Sequence, residues 1–228
     1  MLLLITDTSG KHGFVGLARA GQPQPDEVTG IEEVPLAGGT FSAQLVPQIS
    51  NLLSKHGLQK TDIGAFIVVS GPGSFTGLRV GLAAIKGLAE ILQKPIVPVS
   101  LLEVIASAYL RDGRVLAVLD AGRGEVYARQ YEISDRTARL QTEQLLPRND
   151  FPALAHGAVV VTPEVTLAQI AKSAGLDTLE LESVTPAMIA RLGWRRWQSG
   201  GTVSPETLEA NYIRRSDAEI FAKPATRS

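Results

Sequence analysis

Residues 65–92 read AFIVVSGPGSFTGLRVGLAAIKGLAEIL, and the order of residue types there decides the fold. Phe66 to Val69 is an apolar, largely β-branched run of the kind that forms a strand buried on both faces. Ser70-Gly71-Pro72-Gly73-Ser74 interrupts it, because two glycines and a proline cannot continue a ladder. A helix follows, with Ser74 or Thr76 available as its N-cap. The unit is strand, glycine-rich turn, helix.

On that helix Leu78, Leu82, Ile85, Ala89 and Leu92 share one stripe, and Gly77, Gly81, Ala84, Leu88 and Ile91 share a second. Arg79, Lys86 and Glu90 are confined to a narrow polar edge. Two apolar stripes require two partners, one of them the sheet of the same domain. The second stripe is small and flat, open either to another helix of the same chain or to a partner protein. Each interior glycine weakens a helix by about 0.5–1 kcal/mol relative to alanine, so a close contact is expected to compensate. The turn has neither nucleotide fingerprint. The sixth position from Gly71 is Thr76, and no Gly-Lys-Ser/Thr follows.

Working outward, Leu2 to Thr6 reads as a buried strand, Asp7 to Lys11 as a turn and Gly13 to Ala18 as a returning strand. Gly21 to Asp26 is a polar turn before a strand near Val28 to Leu36. Phe41 to His56 reads as a helix with Leu45, Ile49, Leu52 and Leu53 inward and Gly57 closing it, starting late or kinking at Pro47. Pro95 to Val99 is a short strand and Leu101 to Leu110 a helix. Val115 to Leu119, Asp120, a glycine-containing turn and Glu125 to Ile133 then repeat the opening strand–Asp–turn–strand pattern. Ala158 to Thr162 is a strand, Glu164 to Ala174 a helix, and Thr185-Pro186 starts another that Ser199-Gly200-Gly201 ends. Alternating strands and helices place the chain in the α/β class.

At 228 residues, 44% hydrophobic and 20% charged, the chain has the composition of an ordinary globular protein. A net charge of −1 supplies no global field toward nucleic acid or anionic membrane. The absence of cysteine excludes disulfides, thiolate zinc sites and a cysteine nucleophile. MLLLITDTSG lacks a basic leader and no apolar run reaches membrane-spanning length, so a cytoplasmic protein without membrane contact is expected. The three histidines, His12, His56 and His156, form no HExxH or i, i+4 pair, and Ser9, Ser70 and Ser74 lie in no G-x-S-x-G context. A peptidase is therefore disfavoured, and no metal is expected. Arg191, Arg195 and Arg196 with Trp194 and Trp197 form a basic-aromatic cluster. It could contact RNA, or the arginines could simply suit the last turn of a helix that packs its tryptophans inward.

The stretch SGPGSFTGLRVGLAAIKGLAE at 70–90, followed by PIVPVSLLEVIA at 95–106, resembles the bacterial TsaB/YeaZ family of tRNA threonylcarbamoyladenosine biosynthesis proteins. Asp7-Thr8-Ser9, DAGRGEVY from Asp120 to Tyr127 and Asn211-Tyr212-Ile213-Arg214 extend the likeness. The resemblance implies a two-lobed α/β fold of the actin and hexokinase (ASKHA) class, of ribonuclease H-like topology. Its first lobe would cover residues 1–100 and its second 101–204, with 205–222 packing back onto the first. It further implies a non-catalytic subunit that binds TsaD, works with the ATPase TsaE, and forms a homodimer when alone. The complex would transfer a threonylcarbamoyl group to the adenosine beside the anticodon of tRNA, which this chain would meet only through its partners. Gly77, Gly81, Ala84 and Leu88, with Leu45, Ile49 and Leu52, are the expected partner face. No cofactor is expected beyond weak nucleotide binding at a vestigial site of Asp7, Thr8, Ser9, Asp120, Arg123 and Glu125. The plainer reading of Asp7 is an Asx turn. The alternative from another class is an active ATP-dependent enzyme using Asp7 and Asp120. Two departures stand out: Gly122 where the family has arginine in DARRGEVY, and Phe41-Ser42 where relatives open the first helix with a His-Ser pair.

Overall fold

The computed structural model describes residues 1–21, 24 and 27–213. The expected turn at 21–26, the end of the 205–222 segment and the tail at 223–228 lie partly or wholly outside the described residues. The chain opens with β1 (Leu2–Asp7), β2 (His12–Ala20) and β3 (Val28–Ala37), an antiparallel meander. Next come α1 (Phe41–Lys55), β4 (Ile63–Gly71), α2 (Phe75–Leu92) and β5 (Ile96–Ser100), with β4 parallel to both β1 and β5. The first sheet is ordered β3-β2-β1-β4-β5.

After α3 (Leu101–Ala106) the pattern recurs. The strands β6 (Gly113–Gly122), β7 (Glu125–Ser134) and β8 (Thr137–Pro147) form a second antiparallel meander. They are followed by β9 (Val159–Thr162), α4 (Val165–Ser173), β10 (Thr178–Glu180) and α5 (Pro186–Gln198). The second sheet, β10-β9-β6-β7-β8, repeats the first strand for strand, including parallel β9 and β10. The faint repeat of strand, aspartate, turn and strand in the sequence is thus a duplicated α/β unit.

Each sheet is buried on both faces, which is why its central strands read as unbroken apolar runs. Leu2 and Leu4 of β1 face Leu45, Ile49, Leu52, Leu82 and Ile85 of α1 and α2. Leu3 and Ile5 face Ile189, Leu192 and Trp194 of α5. In the second sheet Val115, Ala117 and Leu119 face α3, and Leu116 and Val118 face Phe151, Leu167 and Ala171. The two-lobed α/β architecture is the expected one. The expected division is corrected in one respect: α5 packs on the first sheet, so the return to the first lobe begins near Pro186 rather than at residue 205.

Two local expectations change, and one strand, β8, carries no expectation at all. The α1 helix begins at Phe41 and runs through Pro47, whose exposed position keeps its missing hydrogen bond on the solvent side. The α3 helix stops at Ala106, capped by Ser107, instead of reaching Leu110. The strand β8 carries no alternation in sequence because most of its residues are exposed whichever face they point to; as the sheet edge it is dominated by Thr, Gln, Arg and Glu.

The N-cap of α2 is Ser74, whose Oγ accepts from Gly77 N at 3.2 Å. The helix lies unusually close to the end of β1. A Cβ on Gly77 would fall on the carbonyl oxygen of Thr8, and one on Gly81 would fall on Thr8 Oγ1. Gly87, in the same helix, has nothing within 4 Å of such a Cβ. Gly87→Ala is therefore expected to stabilise the protein by about 0.5–1 kcal/mol through helix propensity. Gly77→Ala is expected to destabilise it by about 1–3 kcal/mol through overpacking. Urea denaturation of the two variants checks the opposite signs.

Candidate functional site: the cleft between the lobes

A cleft of about 1470 Å³ opens between the two sheets. Its first-lobe wall is built from the β1–β2 turn (Ser9 to His12), the loop before α1 with Phe41, and the Pro72–Arg79 turn and helix start. Its second-lobe wall carries Leu119 to Arg123, Tyr127 and Glu164. The turns Asp7–His12 and Asp120–Glu125 occupy equivalent places in the duplicated units and so meet across the gap. This arrangement puts Ser9, Asp120 and Arg123 of the expected vestigial site on one cleft.

Asp7 and Glu125 do not line it. Ser9 N and Ser9 Oγ both donate to Asp7 Oδ1, at 2.8 and 2.6 Å, an Asx turn closing the hairpin. Burial pushes the Asp7 carboxyl above its ordinary value against those two hydrogen bonds. Thr8 is buried beneath Gly77 and Gly81, while Ser9 is buried but reaches the cleft surface. Ser74 N donates to the carbonyl of Ser9 at 2.6 Å, tying the two first-lobe turns together.

Asp120 is engaged within the second lobe. Arg148 Nη2 donates to its Oδ1 at 2.7 Å, and its own backbone N–H donates to Glu164 Oε1 at 2.9 Å. Desolvation raises the Glu164 carboxyl against the hydrogen bond it accepts from Asp120 N; the Asp120 charge adds to the rise, and Arg148 and Lys11 oppose it. Neither Arg148 nor Glu164 carries a signal in sequence, because strand order alone brings residues 120, 148 and 164 together. Arg123 sits on the cleft in the left-handed region at φ 56. Among the described residues no group of three or more His, Cys, Asp or Glu side chains is arranged to hold a metal ion.

The expected partner face is largely overturned by burial. Leu45, Ile49 and Leu52 are at most 5% exposed in the first-lobe core. Gly77 and Gly81 are covered by Thr8. At Gly77 and Gly81 the second stripe of α2 meets its own β1 turn, and only its far end, at Ile91, is open to a partner. Ala84 and Leu88 remain half-buried against the core. The apolar surface that α2 does offer is Ala83, Gly87 and Ile91, with Ile91 75% exposed, and α1 offers Val46 at 49%.

The basic-aromatic cluster takes its plainer form. Trp194 is buried and stacks on Trp197 at 4.8 Å between centroids. Arg196 donates to Pro98 O and Glu103 Oε2, both at 2.5 Å, and Arg195 to Arg136 O at 3.0 Å. Arg191 stays exposed. Phe41, which stands where relatives have histidine, is 6% exposed, and its ring edge abuts Gly13 and Gly77 at the cleft floor.

The family model of TsaD, tRNA N6-adenosine threonylcarbamoyltransferase, matches residues 35–176. The tRNA threonylcarbamoyladenosine biosynthesis protein TsaB of Escherichia coli is 30% identical over 191 residues, which cover 77% of this chain and 81% of that protein. The chain belongs to the TsaB/YeaZ family. The Bacillus subtilis TsaB is 26% identical, with 96% of each chain covered. The solved YeaZ from Pseudomonas aeruginosa superposes with a TM-score of 0.71 at 24% identity, over 92% of this chain and 99% of that one, and so shares the fold. For this TsaB-family chain the described residues contain no helix long and apolar enough to cross a membrane.

Glu164 makes a test of the cleft electrostatics. Its folded pKa lies above the ordinary 4.5, so between the two values the folded state holds more protons than the unfolded one. Stability contributed by this group therefore falls as pH rises through that window. Glu164→Gln keeps the acceptor for Asp120 N and removes the charge. It is expected to melt above the wild type at pH 7, with the difference shrinking toward zero near pH 4, as calorimetry across pH would record.

Proposed function

We propose that this chain serves tRNA threonylcarbamoyladenosine biosynthesis as a non-catalytic subunit that binds TsaD and works with TsaE. The observation that carries the reading is the match to relatives named TsaB along most of the chain. The state of the cleft acids agrees with it. Asp7 is consumed by an Asx turn behind the cleft surface, and Asp120 by Arg148. Asp7 thus presents no carboxylate to the cleft, and the Asp120 carboxylate is already paired with a cation of the protein. Any nucleotide would bind weakly, between Ser9 and Arg123.

The docking surface for TsaD is the outer face of the α1–α2 pair, led by Ile91, Gly87, Ala83 and Val46. Small residues let another helix approach, and an isoleucine three-quarters exposed on a helix otherwise well packed leaves apolar area for a partner to bury. The same face would pair two copies of the chain when TsaD is absent.

The test is reconstituted tRNA modification with TsaD, TsaE and an enzyme that makes the threonylcarbamoyl-adenylate donor, read by nucleoside mass spectrometry. Modification is expected to require this chain, to survive Asp7→Asn and Asp120→Asn, and to fall at least about tenfold with Gly87→Arg, which loads the docking face without touching the core. Loss of modification in the two aspartate variants, together with ATP turnover by the purified wild-type chain, would instead favour an ATP-dependent enzyme.

A further inference from the structure

Residues 203–213 form a strap that leaves the end of α5 and runs back along the first lobe. Val203 pairs with Ile96 of β5, its N–H donating to Ile96 O at 2.8 Å. Leu208 is 1% exposed in the first-lobe core. Asn211 N–H donates to Ser70 O at 2.7 Å, and the Asn211 carbonyl lies where a Cβ on Gly71 would need to be. Gly71 sits at φ 126, so glycine is required there on two counts. The next anchor is Ile213, which packs with the second-lobe core around Leu119 and Tyr127. The strap therefore crosses from one lobe to the other at the mouth of the cleft.

Tyr212 stands between those anchors and is 37% exposed. Its ring meets Phe75 at 5.0 Å between centroids. The Arg79 guanidinium lies 3.7 Å from the centre of the Phe75 ring and donates through Nε to Tyr212 Oη at 3.3 Å. Phe75 and Arg79 belong to the start of α2, so the contact joins the strap to the glycine-rich turn. Arg79 and Tyr212 are exposed and Phe75 is half-buried, so water screens the cation–ring attraction.

A second contact between the lobes, at the end of β5, is built differently. Arg129 of β7 is 7% exposed, donates to Ser100 Oγ at the end of β5 at 2.6 Å, and pairs with Glu143 of β8. Beside it Arg196 ties α5 to β5 and α3 through Pro98 O and Glu103. The Arg129–Ser100 contact joins the lobes through a buried charge, whereas the Tyr212 contact is an exposed stack and the easier of the two to part.

We propose that Tyr212 is a latch. Docked on Phe75 and Arg79, it holds the strap across the cleft mouth and steadies the 71–77 turn; released, it lets both move and widens access to the cleft. The proposal is independent of what the protein binds. It is tested by hydrogen exchange of the whole chain, followed by mass spectrometry. Tyr212→Ala is expected to speed exchange about tenfold in peptides spanning 71–77 and 205–213, with peptides from β1, β4 and β6 unchanged. Tyr212→Phe keeps the ring contact and is expected to stay close to wild type. Unchanged exchange at 71–77 in Tyr212→Ala would show that Asn211 and Ile213 hold the strap without it and would overturn the latch. A uniform rise across all peptides would also overturn it, by showing that the strap opens only with global unfolding.

Discussion

The close approach of α2 to the end of β1 is the constraint on which the rest of the site depends. Thr8 is wedged under Gly77 and Gly81, at a separation that leaves no room for a Cβ on either residue. Gly73 lies against Ser9 in the same way, and Ser74 N bonds the Ser9 carbonyl at 2.6 Å. Two glycine-bearing turns, one following each strand at the C-terminal end of the parallel β1–β4 pair, are thereby fused into one wall. That wall fixes the start of α2, the rim carrying Phe75 and Arg79, and the floor where Phe41 sits. Glycine inside a helix costs stability, and here the cost is offset by contact that only glycine permits.

Duplication supplies the rest of the geometry. Each lobe ends its first strand in an aspartate and a hairpin turn, and superposed strand orders bring the two turns to opposite sides of one cleft. The two aspartates are nonetheless used differently. Asp7 organises its own turn through Ser9, whereas Asp120 is neutralised by Arg148 and crowded by Glu164. In both, one carboxylate oxygen is engaged by the protein itself, Asp7 Oδ1 by Ser9 and Asp120 Oδ1 by Arg148.

Much of this was legible in the residue order, for identifiable reasons. The runs at Leu2–Thr6, Phe66–Val69 and Val115–Leu119 are apolar without alternation because helices cover both faces of each sheet, and that burial leaves a direct mark on composition. Ser74, Thr185-Pro186 and Gly57 mark helix ends through backbone chemistry confined to a few neighbours. By contrast β8, exposed along most of its length, and the three-residue β10 carry no periodic signal. The second stripe of α2 was visible as a pattern of small residues, but such a pattern cannot say what fills it. A turn of the same chain does so, where a partner helix would have left the same sequence.

The sequence by itself determined the α/β class, the strand–turn–helix unit at 65–92, the repeat of its halves, and kinship with the TsaB/YeaZ family through GPGSFTGLR and DAGRGEVY. These rest on local propensity, on burial averaged over an element, or on motifs contiguous in the chain. Only the tertiary structure decided that α5 belongs to the first lobe, that Leu45, Ile49 and Leu52 are core rather than surface, and that Asp120, Arg148 and Glu164 form one cluster. It alone set Tyr212 against Phe75 and Arg79. Each of those facts depends on contacts between residues far apart in the chain, and no local preference records which distant surface an apolar face or a charge will meet.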